Sequence, residues 1–320
     1  ALAQYALASQ GPWMKDADKI ASLQSVVSLY YNAKNYDKTI EWIDRYLQAG
    51  GTEPVMGNLR AQSYYLKGDY AAAAKALEGE LGKITSAGKV PTEVQLKLLA
   101  DARRRIHDEA GSTQALEALV RHYPSKANWS TLVQRLWAKP TLAVRLQLDV
   151  FRLQQAVAGL AEPSDFTEMA ELALQAGSAG EALKVMEQGY AAKVLGSGDK
   201  TAEQQRFKDK TAKMAAEDRN TLEKDLANAK KAADGTAMFN YGFNMVQLGL
   251  SERGVAQMEQ GLAKGIARNG DTAKLRMVAV YAQLGQRDKA RQVLGTLQPK
   301  ADSTGLDELV RYWTLFLNQS

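Results

Sequence analysis

Cysteine is absent from all 320 residues. That excludes disulfides, thiolate metal sites and a cysteine nucleophile together. Histidine is nearly absent as well. His107 and His122 lie 15 residues apart, which fits neither a His-Glu-x-x-His zinc motif nor two ligands one helical turn apart. No metal and no cofactor is expected. Long apolar runs are missing too, and nothing approaches the ~18 consecutive apolar residues of a membrane span. Charge of one sign is scarce: 41 basic residues against 36 acidic leave a net +5, spread along the chain. A nucleic-acid binder concentrates its basic residues on one face or helix, so nucleic acid is not expected as a partner. The tightest basic run, Arg103-Arg104-Arg105, reads as a solvated helix face.

Catalytic signatures are equally sparse. Residues 196–200, Gly-Ser-Gly-Asp-Lys, lack the spacing of a phosphate-binding loop, and no Gly-x-Ser-x-Gly elbow occurs. Nothing joins an acid, a base and a nucleophile, so the chain is read as a non-enzyme. Asn128-Trp129-Ser130 and Asn318-Gln319-Ser320 match the short glycosylation sequon, a pattern common by chance.

What the chain does have is 45% hydrophobic residues, enough for a large core, and a repeat. Taking Gly68 as a ruler, small or apolar residues stand seven and four before it (Ala61, Tyr64) and five and nine after it (Ala73, Leu77). The same slots around Gly177 hold Ala170, Ala173, Ala182 and Met186. Around Gly249 they hold Gly242, Met245, Gly254 and Met258, and around Gly285 Val278, Tyr281, Ala290 and Leu294. An earlier copy puts Lys34 in the glycine slot, with Val27, Tyr30, Thr39 and Ile43 around it. Lys34 to Gly68 is 34 residues and Gly249 to Gly285 is 36. Missing copies are expected near 90–125, 126–160 and 193–232. In the last of these, Asn220 with Glu223 is read as a cap for a second helix inside the charged segment Thr201 to Lys231.

A period near 34 with a helix–turn–helix pattern resembles the tetratricopeptide repeat family. The stretches that carry the resemblance are 29–43 (LYYNAKNYDKTIEWI), 61–77 (AQSYYLKGDYAAAAKAL), 170–186 (AELALQAGSAGEALKVM), 242–258 (GFNMVQLGLSERGVAQM) and 278–294 (VAVYAQLGQRDKARQVL). The resemblance implies an all-α helix–turn–helix solenoid of about eight helical pairs wound as a right-handed superhelix, several pairs being degenerate. One array over 1–320 is expected, with a possible bend near 160 separating 1–160 from 161–320, and a terminal helix over 304–318 closing it. In such a turn Gly68 supplies a left-handed backbone, Asp69 caps the second helix and Ala73 lets two helix axes approach.

In the resembled family the first helices line a concave groove that holds a peptide or protein segment. Counting back from the ruler positions places Gln24, Tyr31, Asn32, Asn58, Gln62, Tyr65, Gln175, Phe239 and Phe243 there. In the unclear copies Arg104, His107, Gln134 and Trp137 are the candidates, His107 being read as a position on a first helix. The slots where chaperone-binding relatives carry a Lys/Asn carboxylate clamp hold Gln24/Ser28, Asn58/Gln62 and Thr167/Glu171 instead, which argues against that clamp. The function read from this is a scaffold binding a partner protein segment in a bacterial envelope assembly. A polysaccharide-binding component of an export or cell-wall system is the alternative, since amides and phenols also suit sugar hydroxyls. The first residues, Ala1-Leu2-Ala3-Gln4, fit the small-x-small pattern before signal-peptide cleavage, so a periplasmic location is expected, with the cytoplasm as the alternative.

Overall fold

The computed structural model describes residues 15–297 and 304–319, and of Asp16 and Ala17 the backbone only. The residues read as a cleavage site, Ala1 to Gln4, lie outside the described residues. The described chain is all-α. It contains α1 (Asp16–Asn32), α2 (Tyr36–Gln48), α3 (Pro54–Leu66), α4 (Tyr70–Ser86), α5 (Glu93–Arg105) and α6 (Glu109–His122). It continues with α7 (Lys126–Trp137), a 3-10 turn at Val144–Leu146, α8 (Gln147–Val157), α9 (Pro163–Gln175), α10 (Ala179–Ala191) and α11 (Thr201–Lys231). Last come α12 (Thr236–Gln247), α13 (Ser251–Lys264), α14 (Gly270–Gln283), α15 (Arg287–Gly295) and α16 (Leu306–Leu317). Among the described residues there is no strand, and no helix is long and apolar enough to cross a membrane.

The repeat is visible as one turn used six times. Lys34, Gly68, His107, Gly177, Gly249 and Gly285 all have positive φ, from 56° to 90°. After each, the next N–H reaches five residues back: Asn35 to the Tyr30 carbonyl, Asp69 to Tyr64, Asp108 to Arg103, Ser178 to Ala173, Leu250 to Met245 and Gln286 to Tyr281, at 2.8–3.0 Å. This is the Schellman closure, which satisfies carbonyls the helix end would otherwise orphan. The small slots on either side meet across each pair. Ala61 and Ala73, and Ala170 and Ala182, have no exposed surface. In the α12–α13 pair both slots are glycine, and a Cβ on Gly242 would stand 2.6 Å from the Gly254 carbonyl oxygen.

Two expectations are corrected here. His107 is not on a helix. It occupies the ruler slot of the copy missing near 90–125, at φ 60°, and that ruler then picks out Ala100 and buried Ser112, whose hydroxyl donates to the Ala100 carbonyl at 2.9 Å. The glycine-based ruler missed this copy because histidine stands where glycine was sought. The segment Thr201–Lys231 is one unbroken helix of 31 residues, α11. Asn220 caps nothing there, because no glycine or proline interrupts a run of good helix formers. Leu222 and Leu226 are its buried stripe.

The chain forms two compact units, Ala1–Pro124 and Ser125–Ser320. The loop at Gly159 and Leu160 lies inside the second. In the first unit, α1–α2, α3–α4 and α5–α6 are pairs, and α2 packs on α3 and α4 on α5, so the pairs stack in chain order. Their core begins with Leu23, Val26, Val27, Trp42, Ile43, Tyr46 and Met56. All three second helices are capped by a side chain: Asn35 accepts from Lys38 N–H, Asp69 from Ala72 and Asp108 from Gly111.

In the second unit the pairs close on themselves. Besides α7 and α9, which precede and follow it, α8 packs against α14 and α16 from the far end of the chain. Accordingly α8 is buried nearly all round, with Leu148, Val150, Phe151, Leu153 and Val157 inside. Helix α16 is fixed to α15 by Arg291, which donates to the Leu317 carbonyl at 2.7 Å, and Trp313 and Tyr312 are each 1% exposed. Asn128, the first sequon asparagine, is buried as well.

Candidate functional site

In the first unit the first helices α1, α3 and α5 are joined side by side by their polar residues. Tyr31 on α1 donates to Gln62 on α3 at 3.0 Å. Gln95 on α5 donates to Asn58 on α3 at 2.6 Å. The Tyr65 hydroxyl donates to the Asp101 carboxylate of α5, which also receives Arg104 and Arg105. Gln24 donates to the Tyr46 hydroxyl at 3.4 Å. Four of the expected groove residues, Asn58, Gln62, Tyr31 and Tyr65, are thus stitched to a neighbouring first helix. Asn32 is exposed at the α1 end.

These bonds hold a ladder of half-buried tyrosines. Tyr31 meets the Tyr36 ring edge-on at 6.1 Å between centroids, and Tyr65 meets Tyr70 at 5.2 Å. Both steps of the ladder repeat at 34 residues. In the third pair the slot of Tyr31 and Tyr65 holds Arg104, and the neighbouring Arg105 places its guanidinium 5.2 Å from the Tyr70 ring centre. Burial, and then Tyr36, raises the pKa of Tyr31. The Asp101 hydrogen bond, followed by burial, raises that of Tyr65. Burial works against ionised Asp101, but the bonds from Tyr65, Arg104 and Arg105 outweigh it and hold the carboxyl below its usual range. The phenols of Tyr31 and Tyr65 therefore stay neutral at physiological pH, and their rings are oriented before anything binds. His107 is exposed in its turn.

The second unit has a different centre. Arg152 on α8 is 6% exposed and lies among groups of three other helices. Its Nε and Nη2 donate to the two Glu181 oxygens of α10, both at 2.7 Å, and its Nη1 donates to Asp149 at 2.7 Å. Its guanidinium lies 4.9 Å from the Phe243 ring centre of α12, and that of Arg276 on α14 lies 5.1 Å from the same ring. Burial works against the charge on Arg152, but Glu181 and Asp149 prevail and raise its pKa. Burial raises Asp149, with Arg152 and Arg276 opposing. Arg276 is pulled down to about 10 by burial and by the like charge of Arg152.

Beside this cluster opens a cavity of about 290 Å³, its walls supplied by α8, α10, α12, α14 and α16. Of the expected groove residues only Phe243 lines it. Phe239 is 1% exposed and belongs to the core. Trp137 donates its indole N–H to Gln154 at 3.0 Å and rests on Phe151 at 4.7 Å. With exposed Gln134 it borders a separate hollow beside Glu162 and Asp165. Gln175 is exposed at the end of α9. Sequence reasoning missed Arg152, Glu181 and Lys184. The signal it could have used is Asp149 and Arg152, one turn apart inside an otherwise apolar run at 148–153.

No known protein family and no curated protein matches the chain. Among solved structures it is similar to one described as the TPR2AB-domain:pHSP90-complex of yeast Sti1. The identity is 11%, over 94% of this chain and 99% of that one, with a TM-score of 0.33.

Proposed function

We propose that the protein is a non-enzymatic scaffold that holds a segment of a partner protein on the first-helix face of its N-terminal unit. The tyrosine ladder carries this reading. Its tyrosines are only half-buried, and with the hydroxyls of Tyr31 and Tyr65 already fixed they offer large contact area at little further loss of side-chain freedom. Leu66, 50% exposed, and Ile106, 36% exposed, stand next to Tyr65 and Arg105 in the chain and add apolar contact. The amides that would have met sugar hydroxyls, Asn58, Gln62 and Gln24, are occupied by neighbouring helices, so the geometry favours a protein segment over a glycan. We place the partner in an exported assembly, a setting with which the absence of cysteine is compatible.

The test is crosslinking in native cells followed by mass spectrometry, comparing the wild type with a Tyr36→Ala/Tyr70→Ala variant. Those two rings belong to the ladder but make none of its inter-helix hydrogen bonds, so the stack is expected to survive, as circular dichroism would check. A partner recovered by the wild type and lost in the variant is the expected result. A partner set unchanged in a folded variant would remove the ladder from the account.

A further inference from the structure

We propose that the cavity beside Arg152 is a binding site for a small organic monocarboxylate with an aromatic or branched apolar body, and that Lys184 is the group that meets its carboxylate. At about 290 Å³ the space lies at the lower edge of the ~300–1,000 Å³ typical of ligand pockets. That suits one ring with a short acidic arm rather than a polymer. Its apolar wall is built by Phe243, Trp313, Phe316, Val185 and Val280.

The charge balance selects an anion. Arg152 is saturated by Glu181 and Asp149, and Arg276 brings the four charges of the cluster to zero. Lys184, one turn after Glu181 on α10, also lines the cavity and is the surplus charge. It is half-buried and makes no hydrogen bond or close ion pair among the described residues. Burial lowers its pKa, and Glu181 counters only in part. A partly desolvated ammonium without a counter-ion is costly, and a bound carboxylate removes that cost with a charge-assisted hydrogen bond. One cation backed by a carboxylate pair favours a single negative charge over a phosphate dianion. The amides of Gln247 and Gln283 also line the cavity and can serve the second carboxylate oxygen. Gln155 and Gln188, bonded to each other at 2.6 Å, complete the lining.

The experiment is calorimetric titration of the full chain with 3-phenylpropanoate, 3-phenylpropanamide and inorganic phosphate. The acid is expected to bind, the amide to bind about tenfold or more weakly, as loss of a charged hydrogen bond implies, and phosphate not to bind. Lys184→Gln is expected to bring the acid down to the level of the amide and to leave the amide unchanged. Ala282→Trp, which fills the cavity from α14, is expected to abolish both while the far-ultraviolet spectrum stays helical. Absence of binding by the acid, equal affinity for acid and amide, or a Lys184→Gln protein that binds the acid as the wild type does would each overturn the proposal.

Discussion

The two units solve one packing problem in different ways. In the first, neighbouring pairs are joined by half-exposed phenols, amides and one carboxylate, and every second helix has a side-chain cap at its start. In the second, the equivalent helices α10, α13 and α15 have no side-chain cap. The helices instead converge on α8, where an arginine and two carboxylates are buried together. Pairs stacked in a row keep their polar groups near water, where each bond contributes little and losing one costs little. Pairs folded back on themselves take polar groups inside, where a complete set is tolerated and an incomplete one is severely destabilising.

The sharpest way to break the comparison is to remove Arg152. Arg152→Met leaves Glu181 and Asp149 buried without their partner and should cost about 3–5 kcal/mol in urea unfolding. Tyr65→Phe, which removes a bond in the first unit, should cost no more than about 1 kcal/mol. Similar losses for the two would erase the distinction. Packing between paired helices comes next. Gly242→Ala drives a Cβ into the α13 backbone, and Ala73→Leu overfills the α3–α4 contact. Each should cost about 1–3 kcal/mol, Gly242→Ala the more per added atom because backbone cannot rotate away. Thermal unfolding measures both.

Smaller again are the turns. Gly68, at φ 88° with open space around its Cα, should lose about 1 kcal/mol on change to Ala. His107→Gly relieves the same strain at φ 60° and should leave stability unchanged or raise it by up to about 1 kcal/mol. A marked loss with His107→Gly would mean that the imidazole itself holds the turn. The smallest effect is electrostatic. Asp101 has a folded-state pKa below its unfolded value of about 3.9. Its contribution is therefore present above about pH 4 and is lost as pH falls through the folded pKa. Because it is partly exposed, that contribution should be a few tenths of a kcal/mol. Hydrogen exchange of the α5 amides should show a shallower acid dependence in Asp101→Asn than in wild type.

Much of the fold was legible because its signals are local. A residue of positive φ, a helix-capping side chain and two small residues at fixed offsets lie within about 17 positions of one another, so each copy announces itself. The reading lost the third copy at His107 and divided α11 at Asn220, in both cases by weighting residue identity over backbone context. The site was legible only in part. Tyr31, Tyr65, Asn58 and Gln62 were picked out by slot, but their bonds to one another depend on how far adjacent pairs are rotated. Arg152, Glu181 and Lys184 carry no periodic signal, since they come together from helices distant in the chain.

The sequence by itself determined that this protein is helical, that its helices come in pairs, and where each pair turns, because those outcomes rest on hydrogen bonds and contacts between residues close in the chain. Tertiary structure alone decided that the later pairs wrap around α8 and enclose charged groups beside a cavity. That outcome depends on the summed small rotations between successive pairs, a quantity that no single stretch of residues encodes.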